Sequence, residues 1–352
     1  SNKTTYNGNY GLNAQWTVYN GSKRLKTIEQ EKLNNRVADL DVATSENDIE
    51  QSIAQVYIQI LYAAESVKVN ENTLQVSEAQ RDRGKQLLDA GSIARSDYAQ
   101  LEAQVSTDRY QLVTAQATLQ DYKLQLKQLL ELDGEQEMQV YLPALGDENV
   151  LSPLPTKTDV FRSAVALRPE IEASKLSVEA SELGIGIAKS GYLPSVSLTA
   201  GIGTNHTSGS DFTFGEQVKN GWNNSIGLSI SVPIFNNRQT KSAVEKAKLQ
   251  YQTSQLTLLD EQKTLYKTIE GLWLDANSAQ QRYAAAIEKL HSTQTSYELV
   301  SEQFNAGMKN TVELLTEKNN LLQAQQELLQ SKYMAILNTQ LLKFYQGDKI
   351  TL

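Results

Sequence analysis

Trp16-Thr17-Val18-Tyr19-Asn20-Gly21 returns 216 residues later as Val232-Pro233-Ile234-Phe235-Asn236-Asn237. The shift superposes Val18 on Ile234, Tyr19 on Phe235 and Asn20 on Asn236. It also carries Glu29 onto Glu245 and Asp89-Ala90-Gly91 onto Asn305-Ala306-Gly307. Loops drift in length, whereas a register held without insertion over about 70 residues belongs to rigid, continuous elements. The chain therefore reads as two copies of one unit, residues 1–134 and 158–352. The joining segment, residues 135–157, carries Pro143, Pro153 and Pro155.

Within each copy the period of the apolar residues changes. From Leu265 they step by four and three through Ile269, Leu272, Ala276, Ala279, Tyr283, Ala286 and Leu290. After Thr293 the series continues at Tyr297, Val300 and Phe304. A 3.5-residue seam predicts left-handed coiled-coil packing. The first copy repeats it as Ile49, Ile53, Val56, Ile60, Ala63, Val67 and Leu74, and weakens at Asn70, Ser77 and Arg81. All six prolines lie outside these stretches, as long helices require. A helix of about 70 residues would measure on the order of 105 Å. After Gly91 and Gly307 the pattern is helical again, predicting hairpins that run on to Gly134 and Gly347, glycines being common at helix C-termini. A further helix is predicted from Pro169, in its first turn, to Ser190.

Between the helices lie stretches of strict alternation. Val196, Leu198, Ala200 and Ile202 alternate with Ser195, Ser197, Thr199 and Gly201. Ile226, Leu228, Ile230, Val232 and Ile234 alternate with Ser225, Gly227, Ser229 and Ser231. In the first copy Tyr10, Leu12, Ala14, Trp16 and Val18 alternate with Gly11, Asn13, Gln15 and Thr17. This is the length and dyad pattern of a transmembrane barrel strand, and equally that of a half-buried strand in a soluble sandwich. Residues 205–224 read as a polar external loop. The helix and strand from Pro169 to Gly203 have no counterpart before Tyr10, so the first copy is expected to lack about 70–80 residues relative to a full repeat unit.

Composition narrows the chemistry. The net charge is -8, with 33 basic and 41 acidic side chains, which argues against a nucleic-acid partner because phosphate recognition needs clustered Lys and Arg. There is no cysteine, and the two histidines, His206 and His291, are far apart, so thiolate or histidine metal sites and histidine catalysis have little to work with. No apolar run reaches the roughly 18–20 residues of a membrane helix. No signal peptide is visible, as expected of a mature or trimmed start. Gly184-Ile185-Gly186 sits within a helical pattern and lacks the Lys-Ser/Thr of a phosphate loop. No cofactor, metal or enzymatic activity is expected.

Ala166-Leu167-Arg168-Pro169-Glu170-Ile171 followed by Gly191-Tyr192-Leu193-Pro194-Ser195-Val196-Ser197-Leu198 resembles the helix-into-strand passage of the TolC family of outer-membrane efflux channels. Val232-Pro233-Ile234-Phe235-Asn236 resembles that family's strand-to-helix exit. Gly91 with Asp97, and Gly307 with Glu313, resemble its two periplasmic hairpin tips. The resemblance implies a mainly α fold with β: long antiparallel coiled-coil hairpins forming an α-barrel, joined to a transmembrane β-barrel shared by a homotrimer. It implies the outer membrane of a Gram-negative bacterium, contact with its lipid, and a periplasmic adaptor and inner-membrane pump as partners. By the same resemblance Asp97, Lys309, Glu313, Thr316 and Phe304 fall at the periplasmic gate, and Ala90, Gly91, Ser92, Ile93, Ala306, Gly307 and Met308 at the adaptor-docking tips. Asp97 and Glu313 also suit helix N-termini as capping acids. Rival readings are a soluble coiled-coil scaffold or adhesin and, within transport, a type I protein secretion duct.

Overall fold

The computed structural model describes residues 4–133, 138–143, 145–146 and 150–350. Along the chain run β1 (Asn7–Asn20), α1 (Lys23–Asp89), α2 (Arg95–Leu129), α3 (Lys157–Leu167) and α4 (Pro169–Lys189). They are followed by β2 (Ser195–Thr207), α5 (Phe214–Asn220), β3 (Asn223–Ser231), α6 (Gln239–Asn305) and α7 (Thr311–Gln346). Helices α1 and α6 are each 67 residues, about 100 Å of helix. The 216-residue shift carries both ends of α1 onto those of α6 and the start of α2 onto that of α7. The chain divides into two compact units, residues 1–41 with 170–261, and residues 42–169 with 262–352.

The first unit carries an antiparallel sheet in the order β1-β2-β3. Leu12 pairs with Ile202, Trp16 with Leu198, and Ala14 with Ala200; across the next ladder Leu198 pairs with Leu228 and Ala200 with Ile226. The other face is a row of small polar groups, with Asn13, Gly201 and Ser225 aligned, then Gln15, Thr199 and Gly227. A bulge between Thr17 and Tyr19 shifts the register, so that Tyr19, not Val18, pairs with Val196. Strict alternation through Val18 therefore fails at this end, because a bulge inserts one residue without a partner. β3 stops at Ser231, short of the predicted Val232 and Ile234, since Pro233 has no N–H for the ladder. Residues 205–224 are not a simple loop: β2 runs to Thr207, and α5 is closed by a capping box between Thr213 and Glu216. The apolar sheet face is uncovered, with Ile226 84% and Leu12 73% exposed.

Helix α4 packs in the same unit on the early parts of α1 and α6. The Gln30 side-chain amide donates to Ala180 O at 2.7 Å, Ser181 and Ser254 hydroxyls meet at 2.7 Å, and Ser174 donates to Glu261. Strands give way to long helices through paired left-handed residues: Gly21 and Ser22 before α1 (φ 65° and 63°), Asn237 and Arg238 before α6 (φ 50° and 61°). The Asn20 side chain then accepts the Arg24 amide, closing the first turn of α1.

The second unit is a bundle around Ile58, Leu61, Ala279, Tyr283, Tyr333 and Ile336. The seam predicted along α6 is buried or half-buried throughout; on α1 it begins at Ile53, Ile49 being exposed. The joining segment lies on α6: Gln280 donates to Val150 O and Ser152 O at 2.8 Å, and the Trp273 indole to Pro155 O at 3.0 Å. Helix α3, which falls at the predicted junction of the two copies, was not anticipated. Its end is held by Arg168, whose guanidinium lies 4.6 Å and 4.1 Å from the ring centres of Phe344 and Tyr345.

Helix α2 ends at Leu129, not at Gly134, which lies outside the described residues. The left-handed residue is Glu131 (φ 51°), whose N–H donates to Gln128 O while Leu132 N–H donates to Lys127 O. At the shifted position Gly347 (φ 102°) ends α7 with the same two bonds, to Phe344 O and, from Asp348, to Lys343 O. Geometry of the closing turn, not the nearest glycine, decides where each helix stops. A side chain in this conformation is strained by roughly 1–2 kcal/mol, less the unfolded-state freedom that glycine adds. Glu131→Gly is expected to stabilise the chain by about 0.5–1 kcal/mol, read as a higher urea midpoint; an unchanged or lower midpoint would refute the strain.

Candidate functional site: the hairpin tips

Each long helix ends in the same turn. Gly91 and Gly307 both have φ 72°, and nothing lies within 4 Å of the position a Cβ would take. Gly91 N–H donates to Leu88 O and Ser92 N–H to Leu87 O; Gly307 N–H donates to Phe304 O and Met308 N–H to Gln303 O. Glycine is needed at both tips for the left-handed backbone alone. Ala90, Gly91, Ser92, Ala306, Gly307 and Met308 are exposed, Met308 at 70%, and Ile93 is half-buried. These seven residues form the two hairpin turns, all small except Ile93 and Met308.

The acidic residues beyond the tips begin the returning helices. Asp97 Oδ2 accepts the Ala94 N–H at 3.3 Å, and Ala94 has no side-chain acceptor to return the bond. In the second copy the exchange is complete: Asn310 N–H donates to Glu313 Oε2 at 3.1 Å and Glu313 N–H to Asn310 Oδ1 at 2.9 Å. Lys309 adds an ion pair to Glu313 at 2.6 Å. The Lys309 ammonium and the Asn310 amide hold the Glu313 carboxyl below the usual carboxylate range. Because the folded value is depressed, this cap contributes its stability above the unfolded value, about 4.3, and loses it as pH falls through the folded value. Acidification to pH 3 is expected to fray the first turn of α7, seen as faster amide exchange at Asn310 and Glu313 after correction for intrinsic rates. Glu313→Gln should exchange with little dependence on pH over that range; a variant as acid-sensitive as the parent would remove the carboxylate from the cap.

The structure brings Lys309 and Glu313 together, and leaves Thr316 exposed one turn on, its hydroxyl donating to Val312 O at 2.8 Å. Phe304 is 3% exposed and belongs to the packing under the tip, not to its surface. Below the second tip lies a group that sequence reading did not identify. Lys318 of α7 donates to Asp108 of α2 and to Ser77 of α1, and the Ser77 hydroxyl donates to the same Asp108 oxygen. Gln104 donates to the other Asp108 oxygen at 2.9 Å. Lys318, Asp108 and Ser77 are each at most 3% exposed. Burial pushes the Lys318 ammonium down, and Asp108 offsets part of that shift. The one signal in the sequence was Ser77 interrupting an apolar seam; nothing local marks its two partners.

The described residues hold no cluster of three metal-ligating side chains and no helix long and apolar enough to cross a membrane. His206 rests against Phe214, ring centres 5.0 Å apart, rather than standing free in solvent. The architecture is that of solved outer-membrane channels. CusC superposes with a TM-score of 0.82 at 18% identity, covering 97% of this chain and 82% of that one. VceC of Vibrio cholerae superposes with a TM-score of 0.79 at 16% identity, covering 99% and 88%. In sequence, the outer membrane protein TolC of Escherichia coli is 25% identical over 335 residues, 92% of this chain and 66% of that protein. The outer membrane efflux protein BepC of Brucella suis is 24% identical over 294 residues, 83% of this chain and 61% of that one. The chain thus spans about two thirds or less of these two relatives. The model of the family described as outer membrane efflux protein matches residues 1–131 and 160–347, which include the sheet, both hairpins and both tips. With that match over nearly all of its secondary structure, the chain belongs to the outer membrane efflux protein family.

Proposed function

We propose that this protein is the outer-membrane duct of a tripartite efflux or secretion assembly. It is a passive homotrimer that receives cargo from a periplasmic adaptor and an inner-membrane pump, and it has no enzymatic activity or cofactor. The observation that carries this reading is the sheet. Leu12, Trp16, Ile226 and Leu228 cover one face that none of the described residues buries, while glycine, serine, threonine and asparagine line the other. An exposed apolar face of this kind suits lipid, with water on the small polar side. Tyr6, Tyr10, Phe212, Phe214 and Trp222 are exposed around one end of the sheet and Tyr19, Tyr192 and Phe235 around the other, as in the aromatic girdles of membrane barrels. β1 and β3 are both edge strands, so pairing with other copies would satisfy their free backbone groups and close the barrel. A soluble scaffold or adhesin would have to cover that face by other means.

In this reading the chain is two repeats, residues 1–134 and 158–352, joined by 135–157. The tips Ala90–Ile93 and Ala306–Met308 meet the adaptor, their small residues permitting close approach. Asp97, Lys309, Glu313 and Thr316 stand around the periplasmic opening, with Phe304 bracing the turn beneath them. A carboxylate repeated about a threefold axis concentrates negative charge in a narrow throat and draws cations. Relatives whose names speak of toxin and drug export, of alkaline protease secretion and of cation efflux leave both small-solute and type I protein cargo open to this duct. The test is conductance in planar bilayers, with and without divalent cations, for the parent chain, Glu313→Gln and Asp97→Asn. The parent is expected to conduct, and each neutral variant to show larger currents and weaker cation block. No insertion from detergent would end the duct reading; identical currents and block in all three would end the gate assignment alone.

A further inference from the structure

The sheet face that carries Leu12, Leu198 and Ile202 continues to the far end of β2. Thr204 and His206 extend the row, and their ladder partners Tyr10 and Gly8 extend it on β1, because alternate residues of a strand share a face. β3 begins at Asn223, opposite Gly203, so β2 runs past it to Thr207. Helix α5 takes up the edge left free there. The Gln217 side chain accepts the Thr207 N–H at 2.9 Å and donates to Thr207 O at 3.2 Å and to Phe212 O at 2.8 Å, standing in for a neighbouring strand. Thr204 Oγ1 donates to Val218 O at 2.9 Å, and the capping box between Thr213 and Glu216 fixes the first turn.

Phe214 shows which way this helix leans. Its ring lies 6.2 Å from that of Tyr10 and 5.0 Å from that of His206, centre to centre, and both of those residues stand on the apolar face. The β2–β3 connection therefore folds towards that face, away from the polar row of Asn13, Gly201 and Ser225. Phe212, Phe214 and Trp222 remain exposed beside Tyr10. By helical periodicity Glu216 and Lys219 fall on the side of α5 opposite Phe214 and Val218, and both are exposed. Aromatic rings bordered by charged groups suit the boundary between lipid and water, where one side of an element is apolar and the other wet.

We propose that α5 is a membrane-boundary element. It lies against the lipid-facing flank of the sheet, its aromatic rings at the edge of the acyl chains and Glu216 and Lys219 among the lipid headgroups. This rests on the duct reading and adds to it where the connection between β2 and β3 goes: into the rim of the lipid layer, not over the mouth of the duct. The occupant of the exposed aromatic surface is lipid because that surface continues the apolar face of the sheet. The spacing agrees. Tyr19 pairs with Val196 and so stands on the same face as Tyr10. From Tyr10 to Tyr19 a strand rises about 30 Å, or roughly 23 Å along the membrane normal at a tilt of about 40°, close to the apolar band of about 25 Å in outer-membrane barrels. Tyr10 and α5 thus fall at one margin of the band and Tyr19 at the other.

Because the chain has no cysteine, a nitroxide label can be placed at one site at a time. Phe212→Cys, Trp222→Cys, Ser225→Cys and Ile226→Cys would each be labelled in the full chain and reconstituted in phosphatidylcholine vesicles. Power saturation then compares collisions with oxygen, which dissolves in lipid, and with a water-soluble nickel chelate. Ser225 and Ile226 are adjacent on β3 and face opposite ways, so they calibrate the water and lipid limits. The oxygen-to-nickel ratio at 212 and at 222 is expected to be several-fold above that at 225 and below that at 226, as at a shallow depth in lipid. A ratio at either site no higher than that at 225, with 226 still reading as lipid, overturns the placement of α5 and leaves the duct reading standing. A ratio at 226 as low as that at 225 overturns both.

Discussion

Lys318→Met is expected to cost about 3–5 kcal/mol, among the largest losses for any single side chain in the bundle. The reason is what remains: Asp108, 3% exposed, would be left among helices without its ion-pair partner, with the Ser77 hydroxyl and the Gln104 amide still donating to it. A buried charge without its partner costs far more than the intact pair contributes, because desolvation is already incurred in the folded state. The same reasoning predicts that Lys318→Met with Asp108→Leu recovers most of the loss, since an apolar pair fills the space without a charge to solvate. Urea midpoints of the parent, both single variants and the double variant would close the cycle. Two small, additive losses would show that the three side chains do not act as one cluster. The cluster joins α1, α2 and α7, so its loss should loosen α7 from the first hairpin more than it disturbs either hairpin turn.

The second large effect lies where β1 becomes α1. Gly21→Ala is expected to cost about 2–4 kcal/mol, combining a left-handed backbone with a steric clash. Gly21 has φ 65°, and a Cβ there would come within 2.8 Å of the Leu193 Cβ and 2.9 Å of the Ser190 carbonyl oxygen. Neither is the free end of a flexible side chain. The matching residue one repeat on, Asn237, has φ 50°, a conformation asparagine tolerates; it is already accommodated with its side chain. Asn237→Ala should therefore cost only about 1 kcal/mol, the backbone part. Thermal unfolding followed by circular dichroism separates the two, and equal costs at both sites would mean that the Leu193 and Ser190 contacts give way freely. The contrast also explains why the six-residue motif that precedes each long helix ends in glycine once and asparagine once.

Much of the architecture was legible because it depends on local, periodic terms. A 3.5-residue apolar seam over forty residues leaves one way to bury its face, and α6 follows it from Leu265 to Phe304. The 216-residue register survived because two rigid helices cannot absorb an insertion. Failures came where one residue was weighed without its surroundings. Gly134 looked like a helix stop, yet Glu131 takes the left-handed position because its amide and that of Leu132 find Gln128 and Lys127 carbonyls there. Alternation ran through Val18 and on to Ile234, but a bulge and Pro233 ended each pattern early. Helix α3 was hidden because eleven residues carry too little periodicity to separate from a linker. At the tips, the sequence placed Asp97 and Glu313 correctly at helix starts, and the capping geometry is the local consequence of that placement.

By itself, then, the sequence determined the long helices, their hairpin turns, the alternating strands and the doubling of the unit, since each follows from backbone propensity and the burial of a repeating face. Only the tertiary structure decided that Ser77, Asp108 and Lys318, from three helices and up to 241 residues apart, share one buried cluster. It alone decided that Phe304 packs inward. Those outcomes depend on which helices become neighbours across long stretches of chain, and no spacing along a single strand or helix encodes that choice.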